Sequence, residues 1–374
     1  MKLHSEVSED AFLSGKRVLV TGGTGSMGKV LVRRILSGEL GEPAKVIVFS
    51  RDEAKHAEMR QAYLQQAAAT DELIYSNFLR LLEFRLGDIR SYADVAAAVR
   101  DADVVIHAAA LKQVPNCEYF PEQAVATNCR GAENLVRAIR EHQYPVEVVV
   151  GISTDKACQP INVMGMTKAI QERIFTAANI LIPQTRFICT RYGNVLASRG
   201  SVIPLFHEQI RQGGPVTVTV PEMTRFLMSL DEAVDCVFAA LRWARPGEIF
   251  VPCAPAATVM NVAKALVGDR PIRIVVTGIR PGEKMHEVMI SEEECHHAYR
   301  RGNYYAIESM LPELRLPHRH GKPLGHPLSS ADCVIDLEET RALLDRHGLL
   351  DVDKACSYDF ERFRLTPIVT PKAA

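Results

Sequence analysis

Asp155 and Lys156 place a carboxylate beside an amine, directly after the apolar run Val146, Val148, Val149, Val150 and Ile152. Those two groups are the makings of an acid and a base, and a desolvated cleft moves both pKa values towards neutrality. Thr154 adds a hydroxyl at the same point. After Pro160 the pattern turns helical, with Met164 and Lys168 four apart on one face. The preceding run reads as a strand buried on both faces, and the carboxyl end of such a strand is where an open α/β sheet keeps its ligand. A plain Asp–Lys salt bridge at a strand end is the bland alternative. Met164 can neither give nor take a proton and reads as apolar filler.

A site of this kind needs a sheet and a cofactor. Arg17 to Val20 is a short apolar strand, followed by Thr21-Gly22-Gly23-Thr24-Gly25-Ser26-Met27-Gly28 and a helix over Lys29 to Leu40. Glycines 22, 25 and 28 between strand and helix let the backbone approach a pyrophosphate, which the helix N-terminus then favours. The second strand, Lys45 to Ser50, ends in Ser50-Arg51-Asp52-Glu53. A carboxylate there suits a ribose 2′-hydroxyl and an arginine a 2′-phosphate, so Ser50 and Arg51 favour NADP. NAD, with Asp52 on the ribose, is the alternative. Residues 54 to 80 read as helical and then irregular. A third strand, Leu82 to Leu86, ends at Gly87, Asp88 and Ile89, beside the expected adenine. A fourth, Val104 to Ile106, ends in His107-Ala108-Ala109-Ala110, small enough for close approach, with Lys112, Gln113 and Glu118 on the next loop. A long helix over residues 122 to 142 leads into the fifth strand. This alternation predicts an α/β fold, a Rossmann-type doubly wound parallel sheet.

The helix bearing Lys168 extends to about Asn179, and Arg186 to Thr190 is another strand. Strict alternation then fails. The expected division is a Rossmann domain over residues 15–191, rejoined by some later segments, and a smaller mixed α/β substrate lobe over 192–350. Residues 1–14 and 351–374 are terminal extensions. The lobe offers Arg199, Arg225 and Arg280, which suit a phosphorylated substrate, although each taken singly reads as a surface ion pair. Prolines 312, 317, 323 and 327 predict an irregular arm, and Asp336 to Arg346 a helix ended by Gly348.

Balanced charge, 44 Lys+Arg against 45 Asp+Glu in 374 residues, gives no field for nucleic acid or an anionic membrane. No apolar run approaches the ~20 residues of a membrane span. The first residues lack the pattern of a signal peptide, and nine scattered cysteines without a CxxC pair fit reduced thiols. A cytoplasmic protein without a metal is expected.

The chain resembles the extended short-chain dehydrogenase/reductases, specifically the UDP-N-acetylglucosamine 4,6-dehydratases of bacterial polysaccharide synthesis. The likeness covers roughly residues 15 to 350. It rests on Thr21 to Gly28, Ser50 to Glu53, Ala108 to Pro115, Ser153 to Lys168, Arg191 to Phe206 and Met223 to Leu230. Most of the superfamily carries Tyr-x-x-x-Lys, the tyrosine serving as acid/base; here Met164 stands at the tyrosine position. Some sugar-nucleotide dehydratases share that change, and the chain is most similar to the soluble capsule-type enzymes that also invert C5.

The resemblance implies oxidation at C4, elimination of water across C5/C6, and return of hydride to C6. It implies Asp155 as acid at C6, Lys156 as base at C5, and Lys168 on the nicotinamide ribose. With no tyrosine, Asp155 or a water held by it and Lys168 is expected to take the O4 proton. Thr154 is placed to bond O4. Cofactor contacts are expected from Gly22, Thr24, Gly25, Ser26, Met27, Gly28, Ser50, Arg51, Asp88, Ile89, Ala108, Ala109, Ala110, Lys112 and Lys168. Substrate contacts are expected from Lys112, Asn194, Arg199, Ser201, Val202, Arg225, Arg280 and Glu283. The implied partner is UDP-N-acetylglucosamine or a close UDP-sugar, in a homo-oligomer. Two other readings stay open: a UDP-sugar 4-epimerase, in which the Asp155–Lys156 pair is idle, and a non-catalytic NADP-binding regulator.

Overall fold

Strands that are apolar on both faces need cover on two sides, and this chain alternates them with helices that provide it. The computed structural model describes residues 11–65, 72–196, 198, 201–315 and 321–352. Strands β1 (Arg17–Thr21), β2 (Lys45–Ser50), β3 (Leu82–Leu86), β4 (Val104–His107), β5 (Val148–Ile152), β6 (Arg186–Thr190), β7 (Ile249–Pro252), β8 (Ala298–Arg301) and β9 (Tyr304–Ile307) form one sheet. Their order is β8-β9-β7-β6-β5-β4-β1-β2-β3. Neighbours from β7 to β3 are parallel, while β9 is antiparallel to both β7 and β8. The order reverses between β4 and β1, which opens a crevice at their carboxyl ends.

Alternate residues of each strand face opposite layers. Val18, Val20, Val46 and Val104 pack with Leu31, Ile35, Val234 and Leu241 from the helices Ser26–Leu36 and Leu230–Trp243. Leu19, Ile47, Val105 and Val149 pack instead with Val95, Leu135, Ile139 and Phe175 from Tyr92–Val99, Gly131–His142 and Val163–Leu181. A third core, with Phe206, Val262, Leu266 and Leu344, joins the helices Val202–Arg211, Val259–Val267 and Leu337–Arg346. Its small sheets pair Thr224–Met228 with Ala256–Thr258 and Asn194–Val195, and Val216–Val218 with Ile274–Val276.

Two local expectations change. Residues 54–80 hold two helices, Glu53–Gln65 and Glu72–Leu81, rather than one helix and an irregular tail. The long helix expected over 122–142 is interrupted by a π-helical turn, Val125–Arg130. That turn carries Asn128, which is fully buried. Its amide accepts from Leu111 N at 2.8 Å and donates to Leu111 O at 3.0 Å and Thr167 Oγ1 at 2.9 Å. π-Turns recur where a helix must re-aim a side chain, and here the side chain ties the loop after β4 to the Lys168 helix.

Candidate functional site

The loop after β1 and the loop after β4 touch. Gly22 has φ +67°, and a Cβ on it would lie 2.8 Å from the Ala109 backbone, so only glycine fits. Behind this contact is a cavity of about 530 Å³ along the carboxyl ends of β1 to β4. Its walls include Gly22, Thr24, Gly25, Ser26, Met27, Gly28, Ser50, Arg51, Asp88, Ile89, Ala108, Ala109, Ala110 and Lys112. Every expected cofactor residue but Lys168 is thus brought to one crevice. The helix Ser26–Leu36 begins at its floor with Gly25 as N-cap and no side-chain cap, which leaves backbone N–H donors for a pyrophosphate. These features fit a dinucleotide.

At the end of β2, Ser50 Oγ is bonded to Thr24 Oγ1 (3.0 Å) and His56 Nε2 (2.7 Å). Asp52 accepts from Lys55 N at 3.1 Å and pairs with Lys55 Nζ at 2.7 Å. Those bonds hold its carboxyl below the ordinary range and commit it to the following helix. Asp88 is held by Arg90 at 2.6 Å, whereas Arg51 keeps its side chain 55% exposed, 3.9 Å from Asp88.

The second cluster lies past the end of β5. Thr154 Oγ1 donates to Asp155 Oδ1 at 2.9 Å, and Lys156 Nζ donates to the same oxygen at 3.1 Å. Asp155 is fully buried, and its other oxygen has no hydrogen-bond partner among the described residues. Lys156 Nζ also stands 3.1 Å from Glu287 Oε1 and 3.4 Å from Asn194 Oδ1. Burial works against the Lys156 charge, but Asp155 and Glu287 outweigh it and hold the amine above its ordinary pKa.

The helix Val163–Leu181 comes close because of Gly165, on which a Cβ would run into the Lys156 carbonyl. Asn162 caps the helix by accepting from Gly165 N at 2.8 Å, and Glu118 accepts from Val163 N at 2.7 Å. Lys168 Nζ donates to the Ile152 carbonyl and to Gln171 Oε1 at 2.7 Å, and burial pushes it down to about 8. Met164 is buried among Cys117, Ala124, Leu111 and Val114, as filler.

The segment after Ile274–Val276 folds over this cluster. Asn162 Nδ2 donates to Gly282 O at 2.9 Å and Lys284 Nζ to Cys158 O at 2.7 Å. Glu283 N donates to Arg280 O at 3.2 Å, and one Glu283 carboxylate oxygen is buried without a partner among the described residues. Arg280 itself is exposed. Arg225 is buried, donating to Thr224 O at 2.7 Å, with Nε 3.9 Å from Glu287. Ser201, with a buried hydroxyl, precedes Val202 at the start of the helix Val202–Arg211. Arg199 lies outside the described residues.

Glu287, Asn128 and Gln171 are absent from the residues expected at the site. Gln171 had a signal, since it follows Lys168 by one helical turn. Asn128 and Glu287 had none, because neither period nor motif marks them.

A profile of the family described as "Polysaccharide biosynthesis protein" matches residues 18–309. A UDP-glucose 4-epimerase of Rickettsia bellii is 45% identical over 297 residues, 78% of this chain and 82% of that protein. A UDP-N-acetylglucosamine 4,6-dehydratase (inverting) of Campylobacter jejuni is 42% identical over 301 residues, 80% of this chain and 84% of the relative. The X-ray structure of Pen from Bacillus thuringiensis is 32% identical and covers 90% of this chain and 99% of its own, with TM-score 0.78. DesIV, a dTDP-glucose 4,6-dehydratase from Streptomyces venezuelae solved with NAD, shares the fold at 22% identity and TM-score 0.60, over 72% of this chain and 86% of its own.

Proposed function

Because the chain belongs to the polysaccharide biosynthesis protein family, among the extended short-chain dehydrogenase/reductase-like enzymes that epimerise or dehydrate nucleotide sugars with an NAD(P)-type cofactor, we propose that it is a UDP-N-acetylglucosamine 4,6-dehydratase that also inverts C5. The carrying observation is the Asp155–Lys156 pair, 3.1 Å apart just past β5, the strand beside β4 whose end lines the dinucleotide crevice. An epimerase has no use for an acid at C6, whereas elimination of water needs an acid and a base on neighbouring carbons. The 4-epimerase is the second reading, favoured by the Rickettsia relative.

Bound in the crevice, a nicotinamide supplies hydride acceptance at C4 and hydride return at C6. The chain's own groups handle the protons. Asp155 takes the O4 proton and delivers it to the departing C6 hydroxyl, while Thr154 bonds O4. Lys156 takes the C5 proton, and a solvent proton arriving on the opposite face of the ring completes the inversion. Lys168 holds the nicotinamide ribose. Arg51 favours NADP over NAD, since Asp52 is committed to Lys55. Arg225, Arg280, Asn194 and Ser201 belong to the wall that takes the UDP-sugar, in a substrate lobe over residues 192–350. The proposed protein is a cytoplasmic homo-oligomer that feeds surface polysaccharide synthesis; no described helix is long and apolar enough to cross a membrane.

Proton NMR of the protein with NADP and UDP-N-acetylglucosamine in D₂O tests the reading. A new C6 methyl group, deuterium at C5 and the inverted ring configuration are expected together. A product of unchanged mass means epimerase, and NADP binding without conversion of any nucleotide sugar means regulator.

A further inference from the structure

Glu287 stands next to the described chemistry without a part in it. It is 2% exposed, on the segment that folds back over the carboxyl end of the sheet. One carboxylate oxygen lies 3.1 Å from Lys156 Nζ, and the other is buried with no hydrogen-bond partner among the described residues. Its backbone is pinned independently: Glu287 N donates to Ser330 Oγ at 2.9 Å, and Ser330 N donates to the Glu287 carbonyl at 2.8 Å. A carboxylate kept this dry needs a reason, because burial without full pairing is costly. Arg225, at 3.9 Å, is too far for a hydrogen bond. Arg225 thus forms a long ion pair with the same oxygen, and among the described residues Lys156 is the cation within hydrogen-bond reach of it.

We propose that Glu287 is a positioning residue that stores the Lys156 proton, so that Lys156 can enter the elimination step as a free amine. The idea rests on the dehydratase reading for its place in the reaction, and on geometry alone for the coupling. The groups facing Lys156 are Asp155, Glu287 and Arg225, with Asn194 contributing a neutral carbonyl. With both carboxylates ionised the ammonium is favoured, and an ammonium cannot act as a base. Once Asp155 has taken the O4 proton, one of the two stabilising charges is gone. Lys156 then passes a proton over 3.1 Å to Glu287.

The free amine takes the C5 proton, and the C5–H electron pair becomes the C5=C6 double bond as the C6–O bond breaks. Asp155 gives its proton to the leaving hydroxyl, which departs as water. After hydride has reached C6, a solvent water protonates C5 from the opposite face. Glu287 gives its stored proton to the hydroxide left behind, and Lys156 keeps the proton it took as its ammonium. Each residue ends as it began, and the sugar has lost one water.

The coupling is tested without turnover by brief acetic anhydride labelling of the full-length protein near pH 8, with Lys156 followed by peptide mass spectrometry. Glu287→Gln is expected to raise Lys156 reactivity about tenfold, as for a pKa one unit lower. Unchanged reactivity overturns the proposal. Should Glu287→Gln fail to fold by circular dichroism, Glu287→Asp, which withdraws the carboxylate by one methylene, is read instead. A smaller rise supports the proposal and none overturns it. In the kinetic arm, deuterium entry at C5 should be flat with pH near 8 in the unaltered protein, where Glu287 takes the Lys156 proton. It should rise with pH in Glu287→Gln, where that proton must leave to solvent. The first hydride uptake, followed at 340 nm, should stay within a few-fold, and an equally flat profile in Glu287→Gln overturns the proposal. Equal slowing of both steps marks a merely structural role and overturns the proposal. A wild-type protein that releases no water from the sugar defeats the dehydratase reading, and labelling then decides the coupling by itself.

Discussion

Arg191 and Glu294, 103 positions apart, meet in a two-pronged contact: Nη1 lies 2.7 Å from Oε2 and Nη2 2.9 Å from Oε1. Glu172 takes the other side of the same guanidinium at 2.7 Å, and all three side chains are buried. The Arg-Tyr-Gly-Asn stretch therefore opens on a fastening between β6 and the turn Glu294–His297 that precedes β8.

Removing one partner of such a cluster strands a buried charge. Glu294→Ala should cost about 3–5 kcal/mol, read as a lower urea midpoint with an unchanged slope. Burial opposes the Glu294 charge, but Arg191 outweighs it and holds the carboxyl down at about 2. A depressed carboxylate adds stability that is complete above its ordinary pKa of 4.5 and is lost as pH falls towards 2. Glu294→Gln should remove that acid limb from the pH–stability curve.

Lys168 titrates at about 8 because it is buried. Ile152 O and Gln171 Oε1 already take two of its N–H groups, so the proton lost above that pH is the one left for a ribose hydroxyl. Cofactor affinity, followed by isothermal titration, should weaken as pH rises through about 8. Lys168→Met should bind weakly at every pH, without that limb. In the free protein this lysine makes stability rise with pH between about 8 and 10.5, where the unfolded chain holds the extra proton.

Asp155→Asn keeps the shape and removes the proton acceptor. Both the 340 nm signal of hydride uptake and the loss of water should disappear. Normal build-up of a 4-keto-6-hydroxy sugar would contradict the double role of Asp155.

Arg51→Ala should weaken NADP by tenfold or more and leave NAD within about twofold, since a hydrogen bond to a charged group is worth roughly 1.5–3 kcal/mol. Tighter binding of NAD than NADP by the unaltered protein would reverse the cofactor assignment.

Met164→Leu should preserve turnover within about threefold and cost under about 1.5 kcal/mol, as a volume-conserving swap in a filled cluster. Gly165→Ala, one residue on, should cut turnover sharply. Its added methyl pushes on the Lys156 carbonyl, which a loss in kcat with cofactor binding retained would report.

The cofactor crevice was legible in the sequence because its parts are local. A strand, a glycine loop and a helix follow one another within about twenty residues. Ser50, Asp88 and Ala108 to Ala110 each follow or end a short strand that is plain in the sequence, as an apolar run in β2 and β4 and as an alternation in β3. The Asp155–Lys156 pair and Lys168 were legible for the same reason, adjacency and helical spacing. What packing decided is the company these groups keep. Glu287 reaches Lys156 because the segment from Gly278 onward is pinned by Asn162, Lys284 and Ser330, and Asn128 is aimed by a π-turn that breaks the helical period. Likewise, Arg191 becomes a structural clamp only where Glu172 and Glu294 close on it. Chain spacing encodes a residue's neighbours within a turn or a strand. Which charges share a dry volume is set by how distant loops dock, and that docking fixes whether Lys156 stands as an ammonium or is freed as a base.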